Sequence, residues 1–397
     1  MRTRRQDKAA AAAASTEKGE LPSEAISPIA NNGDRDARTS ATTVTISKIE
    51  GPTINHAEGK PRTKLPTLVQ FPLVAFLSLA ISELGYSLSW PLTQEVLAAH
   101  ARLLGTWTEV GAVTGWRLCV SLIPIVCLGL CFPRVAPPFA LHANNAGHNR
   151  FELALGWFGD YDGYDITALN LLSQGPHLYL LFAHYDTPAF ALLVTVVIET
   201  LATYIPFRLI RSLSRAHANP TAAPNADILT DAPIALLTTL LAGAIYSVSL
   251  LFAYATYLPT YLVVYFTDLP SLVRAHESSY VGILPIALAL GFAARIFIFT
   301  PAEATGRTSA DVENEAFDPA KASLRETVRW NFLGWSSKTK VAMQRTALIM
   351  LVTGVNTFLR TWLTIMGVET AGAAAWSSVW ILAAAVTGAA LSAVGGV

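Results

Sequence analysis

ITALNLLSQGPHLYLLFAHY, residues 166–185, is the stretch on which the fold turns. Leu169, Leu171, Leu172, Leu178, Leu180, Leu181 and Phe182 make it apolar, and it has the length of about 20 residues that a helix needs to cross a bilayer. Asn170, Gln174 and His177 interrupt it, which an isolated membrane helix would not tolerate cheaply. Asp165, just before it, is placed to cap a helix start. Whether this segment crosses fixes the side on which every later segment lies.

Its neighbours are less ambiguous. Leu68–Trp90, Val110–Phe132, Pro188–Ile210, Ile234–Leu258, Tyr280–Thr300 and Val341–Leu363 are apolar runs of spanning length, and the Ala-rich Gly372–Val394 is a further one. Lys and Arg near span ends favour the cytoplasmic side. The basic clusters are Lys60/Arg62/Lys64, Arg211/Arg215 and Lys321/Arg325/Arg329/Lys338/Lys340. All three share one side only if an even number of crossings separates each from the next. Two runs lie between the second and third clusters, and three clear runs lie between the first and second. Counting 166–185 makes four and restores parity. The loops then assigned outside carry Arg102, no base around Asp186, and Arg274. The expectation is an all-α polytopic bundle of about eight spans with both termini cytoplasmic.

Composition agrees. Of 397 residues, 52% are hydrophobic and 14% charged, against about 25% charged in soluble domains, and the mean hydropathy is +0.41. The formal net charge is zero, so no global electrostatic argument points to nucleic acid. The expected partner is the lipid bilayer; the sequence singles out no protein partner and no organelle.

Residues 1–66 are polar and mixed in charge, with six alanines at Ala9–Ala14 and few large apolar groups. Such a segment cannot bury enough surface to offset its ordering entropy. It reads as a disordered cytoplasmic tail before a membrane domain over 67–397. Arg2, Arg4 and Arg5 suggest a transit peptide only until Asp7 follows with no apolar face behind it. Cys119, Cys127 and Cys131 share one apolar stretch at spacings that fit neither zinc nor a disulfide framework.

Ile234–Phe266 is too long for one straight span, about 50 Å against about 30 Å of hydrocarbon, and Pro259 offers the break. Tyr261–Phe266 then lies in the interface. Tyr254, Tyr257, Tyr261 and Tyr265 follow helical spacing, read as an aromatic belt at the membrane edge. Asp318-Pro319 reads as a cap and first turn, with Leu324, Val328, Phe332 and Trp335 on one face, giving an interfacial amphipathic helix over 318–335. Ala384, Gly388, Ser392 and Gly396 form a small-residue packing face.

Several motifs resemble a family of uncharacterised fungal multi-pass integral membrane proteins. They are Gly115-Trp116-Arg117, Glu152-Leu153-Ala154-Leu155-Gly156-Trp157-Phe158, Tyr161-Asp162-Gly163-Tyr164-Asp165, Phe297-Ile298-Phe299-Thr300-Pro301 and Glu326-Thr327-Val328-Arg329. The likeness runs from about residue 105 to the C-terminus. It implies a polytopic helical fold and no activity. In the family pattern Gly115-Trp116-Arg117 runs almost directly into the Glu152–Phe158 segment. Here Leu118–Arg150 intervenes, holds every cysteine and reads as a retained intron.

Ionisable groups inside spans are costly. The deep ones are Glu83, Arg117, Glu199 and Arg295, with Arg295 near enough to a span end to snorkel. Glu199 stands out, flanked by apolar 194–198 and 201–205. His177, His184 and Asp186 are too widely spaced to hold one metal without a further element, and Asp160, Asp162 and Asp165 lack the closing ligands of a calcium loop. No nucleophile elbow, P-loop, dinucleotide fingerprint or HExxH appears. No catalytic, cofactor or metal residue is therefore assigned. The leading expectation is a non-enzymatic structural or organising membrane protein. A small-solute transporter or channel, using Glu199 with Arg295 or Arg117, is the first alternative. A membrane-embedded lipid-modifying enzyme is the second.

Overall fold

A computed structural model describes residues 66–89, 151–222, 226–267, 269–273, 277, 279–365 and 367–395. The tail through residue 65, the run Val110–Phe132, the insert, its cysteines and Arg117 lie outside the described residues.

The described chain is helical: α1 (Thr67–Leu88), α2 (151–158), α3 (Gly163–His184), α4 (Ala189–Ile210), α5 (Ala232–Ala255), α6 (Leu258–Tyr265), α7 (Tyr280–Ala294), α8 (Ser309–Glu315), α9 (Leu324–Leu333), α10 (Ser337–Thr364) and α11 (Thr370–Val394). The π turn Arg295–Phe299 and the short helix Thr300–Glu303 prolong α7.

Six helices are long and apolar enough to cross a membrane: Val69–Leu88, Ala189–Ile210, Ala232–Ala255, Tyr280–Glu303, Ser337–Thr364 and Thr370–Val394. Protein packing covers only 17–44% of their most apolar windows. Leu84, Phe190, Leu193, Leu237, Phe252 and Leu351 point outward from four of them. Exposed apolar surface on this scale is stable only against hydrocarbon, so the protein is an integral membrane protein.

The ambiguous segment forms α3, a helix of 22 residues, as long as α1 and α4. It is enclosed by α4, α7 and α10, and Ile166, Leu169, Leu172, Leu180 and Leu181 are fully buried. Its polar residues face protein rather than lipid, so low hydropathy costs it little. Its N-cap is Asp162 and not Asp165: the Asp162 carboxylate accepts from the amides of Tyr164 and Asp165 at 3.0 and 2.9 Å. That leaves Asp165 free to pair with Arg345.

The helix ends meet in two layers. At the first, the start of α3 meets the end of α4, through the Ser214 amide on Asp162. The start of α10 and the π turn join it through Arg345. Phe71 of α1 packs there on Trp157 and Phe158 of α2. The last turns of α11 return to the same layer, where Gly388 lies against Thr346 of α10. At the other, His184 at the end of α3 meets Tyr254 at the end of α5 and the carbonyl of Ser271. Thr267 there donates its amide to Gly367 at 2.8 Å, joining the segment after α6 to the α10–α11 loop.

Four local expectations change in detail. The break after Ile234 falls at Thr256–Tyr257, and Pro259 opens α6. The tyrosines therefore share no single face: Tyr254 is buried against His184, while Tyr257, Tyr261 and Tyr265 contact one another in series. The amphipathic helix starts at Leu324, because Ser323 and Glu326 form a capping box; Asp318-Pro319 makes a preceding turn. Of the small-residue face, Ala384 is buried and Gly388 allows close approach to Thr346, Ser392 is half-buried, and Gly396 lies outside the described residues.

Candidate functional site

Asn170, Ser173, Gln174 and His177 recur at helical spacing, so they stripe one face of α3. All four are buried. Pro176, inside the helix, has no N–H to give the carbonyl of Leu172. The Thr353 hydroxyl donates to that carbonyl instead, at 3.4 Å, which sets α10 in register against α3. Asn356 and Arg360, one and two turns beyond Thr353, then meet the polar stripe.

Glu152 of α2 is the focus. Asn170 Nδ2 donates to its Oε2 and Asn356 Nδ2 to its Oε1, both at 3.1 Å, and the Ser173 hydroxyl also donates to Oε1. Arg360 Nε donates to Asn356 Oδ1 at 3.1 Å, and Gln174 Nε2 to Asn170 Oδ1 at 3.1 Å. Chemistry fixes these directions. A guanidinium can only donate, so Asn356 turns its oxygen to Arg360 and its NH₂ to Glu152. Each of these donors points, directly or through one amide, at the Glu152 carboxylate.

Glu199 lies halfway along α4 and is buried. Tyr86 donates its hydroxyl to Glu199 Oε1 at 2.7 Å. The preceding Gly85 permits that contact: a Cβ there would meet Ile198 Cγ2 at 2.8 Å, too close for α1 to pack on α4. Glu199 and Arg360 both lie within electrostatic reach of Glu152 and of Tyr86. Half-buried Glu83, one turn before Tyr86, is close enough to Glu199 for the two carboxylates to interact. Five elements thus bring ionisable or amide groups to one buried centre. Ser173 and Glu199 sit midway along α3 and α4, which puts the centre near mid-membrane.

Of the residues expected from sequence, Glu83 and Glu199 belong to this centre. Arg295 does not: it opens the π turn, half-buried, about one and a half turns beyond Leu290, which packs on Gly175 at the middle of α3. Arg117 lies outside the described residues. Glu152, Asn356 and Arg360 were missed. Asn356 and Arg360, four apart among the threonines Thr353, Thr357, Thr361 and Thr364, carried the signal of a polar helix face.

A second cluster stands in the first layer. One ligand atom each from Asp162, Asp165 and His217 lie within 4.8 Å of one another. All three groups are already engaged. Asp162 accepts from the amides of Tyr164, Asp165 and Ser214 and lies 2.7 Å from His217 Nδ1. Burial pushes its carboxyl up, but His217 and those amides outweigh burial and hold it well below the usual range. Arg345 takes both oxygens of Asp165 at 2.6 and 3.2 Å and donates to the Phe297 carbonyl at 3.0 Å. The donors fill the positions a cation would need, so the arrangement is a helix cap joined to an ion pair. Arg211, beside it, donates to the carbonyls of Gly156, Trp157 and Tyr161, closing the C-terminus of α2 with a cation. Asp160, at φ 56°, completes that terminus as a left-handed residue.

His184 is held by Tyr254 Oη at 3.0 Å and Ser271 O at 3.1 Å. No protein-family model, curated protein or solved structure matches the chain.

Proposed function

We propose that this integral membrane protein crosses the bilayer eight times, with both termini cytoplasmic, and moves a small polar solute through the centre around Glu152, Glu199 and Arg360. Placing the three basic clusters in the cytoplasm assigns the first layer of helix ends to that side. α3 counts as a crossing. The residues of the fungal family resemblance, 152–158 and 161–165, are those that bind the Arg211 and Arg345 clamps and supply Glu152.

The observation that carries the transport reading is the convergence of buried ionisable groups from α1, α2, α4 and α10. Burying a carboxylate at mid-membrane costs about 2.5–3.5 kcal/mol even on insertion scales. A purely structural bundle has cheaper ways to pack.

The structural, non-enzymatic reading keeps one specific support. A Cβ on Gly291 of α7 would stand 2.5 Å from the Gly243 nitrogen of α5, backbone contact of the kind that serves helix association. Electrical recording on proteoliposomes challenged with amino acids, polyamines, sugars and metal cations separates the two. Currents that depend on a pH gradient and vanish in Glu199→Gln support transport. Silence across the panel from folded protein supports the structural role.

A further inference from the structure

We propose that α9 is a binding face for anionic phospholipid of the protein's own bilayer, and that Arg325 and Arg329 read the charge. The inference needs only the membrane spans, and it stands whether or not the buried centre carries a solute.

Helix geometry lays out the face. At about 100° per residue, Leu324, Val328 and Phe332 fall within about 80° of one another, and Arg325 and Arg329 continue the same surface to about 140°. Trp330 falls on the other side, near about 240°, and it is the residue the protein holds. Its Nε1 donates to the Asn314 carbonyl at 3.0 Å, and its ring stacks on Phe317 with centroids 4.9 Å apart. α9 is thereby turned so that the three apolar side chains and both arginines face away from Asn314 and Phe317, and all five are exposed. It cannot stand far from the bilayer. α9 ends at Leu333 and the membrane helix α10 starts at Ser337, a step of at most about 14 Å of extended chain.

The charges around this face are unequally matched. Glu326 is turned back into the cap, accepting from the amide and the hydroxyl of Ser323 at 2.8 Å each. Asp318 accepts from the Ala320 amide and pairs with Lys321. On α8, Asp311 accepts from the amides of Thr308 and Ser337, and Glu315 pairs with Arg307. That leaves Glu313 on α8, and Arg325 and Arg329 on the outward face of α9, without a partner among the described residues.

A guanidinium beside an apolar stripe is matched by a phosphate at the level where acyl chains begin. Apolar burial alone would hold α9 in any bilayer. The two unpaired cations add a preference, because the ammonium of a zwitterionic headgroup offsets its phosphate, whereas an anionic lipid keeps a net negative charge.

The test uses the full-length protein in nanodiscs of mixed phosphatidylcholine and phosphatidylserine, with each lipid supplied in turn as a tracer carrying the same photoactivatable acyl chain. Adducts on residues 324–335 are read by peptide mass spectrometry and normalised to those on Phe190 and Leu193, which point outward from α4. Phosphatidylserine should label α9 in preference, by roughly fivefold for each arginine at low salt. The preference should collapse at about 1 M salt, where the screening length is about 3 Å. Arg325→Gln with Arg329→Gln should label α9 equally from both lipids. Lys321→Gln, whose charge is already paired, should keep the preference. Equal labelling by the two lipids in the parent protein overturns the proposal. So does a preference that survives loss of both arginines or disappears with Lys321, and so does the absence of any α9 adduct from either lipid.

Discussion

Truncating Glu152 would strand the donors of Asn170, Ser173 and Asn356 in a buried site and remove the anion that Arg360 faces through Asn356. Glu152→Ala should therefore cost about 3–5 kcal/mol, the range for breaking a buried charged network. Glu152→Gln keeps an acceptor oxygen and should cost nearer about 1 kcal/mol. Thermal unfolding of the two variants in one detergent checks the ordering. Acid should act elsewhere, on Asp162 and Asp311, which secure the connections outside the spans. Burial raises the Asp311 carboxyl, but bonds from Thr308 and Ser337 outweigh it and hold it at about 2; Asp162 is also depressed. A depressed carboxyl stabilises the fold above its unfolded pKa, about 3.9, and loses that contribution as pH falls toward its folded value. The protection of the Ser214 and Ser337 amides from hydrogen exchange, taken relative to the intrinsic rate at each pH, should thus be flat above about pH 4 and fall below it. Glu199 was legible in the sequence because apolar residues flank it on both sides. Glu152 was not, because its neighbours in the chain give no hint that Asn356, about two hundred positions away, supplies a donor.

At the level of the helix, α9 invites a different measurement. Trp330 is held inward, its Nε1 donating to the Asn314 carbonyl at 3.0 Å and its ring stacked on Phe317. Leu324 and Phe332 are left 81% and 71% exposed, with Val328 between them. Arg325 and Arg329 are also exposed. An apolar face with basic flanks beside membrane spans should lie in the headgroup layer. A nitroxide at Phe332→Cys is expected to be accessible to oxygen and shielded from an aqueous nickel reagent, and a Leu324→Glu background should reverse that. A water-accessible nitroxide in the parent protein would refute interfacial placement. Periodicity gave this helix away in sequence, but its start was misplaced by about one turn and a half. Two capping signals compete, and the reciprocal pair Ser323–Glu326 satisfies more amides than Asp318 before a proline.

For the whole molecule, the up-and-down order of α3, α4, α5, α7, α10 and α11 follows from which ends touch. α3 is the element a hydropathy reading weights least and the structure buries most, since its polar face is matched by α2 and α10 rather than by lipid. Counting charges around it weighs α3 by a different criterion, because loops report sidedness independently of what a helix packs against. Epitope tags on the two termini should both be cleaved by protease added to the cytosolic face of sealed vesicles. Protection of one tag alone would mean an odd number of crossings. The π turn at Arg295–Phe299 bears on the molecule's tolerance of length change. It leaves the Phe297 carbonyl for Arg345, and the turn that follows carries Glu303, fully buried, to 3.7 Å from Lys338 Nζ. One residue more or less in a helix rotates everything beyond it by roughly 100°. Deleting a single residue between 295 and 299 would let the helix relax to ordinary pitch, swing Glu303 off Lys338 and withdraw a carbonyl from Arg345. This short stretch therefore acts as a phase-setter: its residue count, as well as its side chains, fixes what lies beyond it.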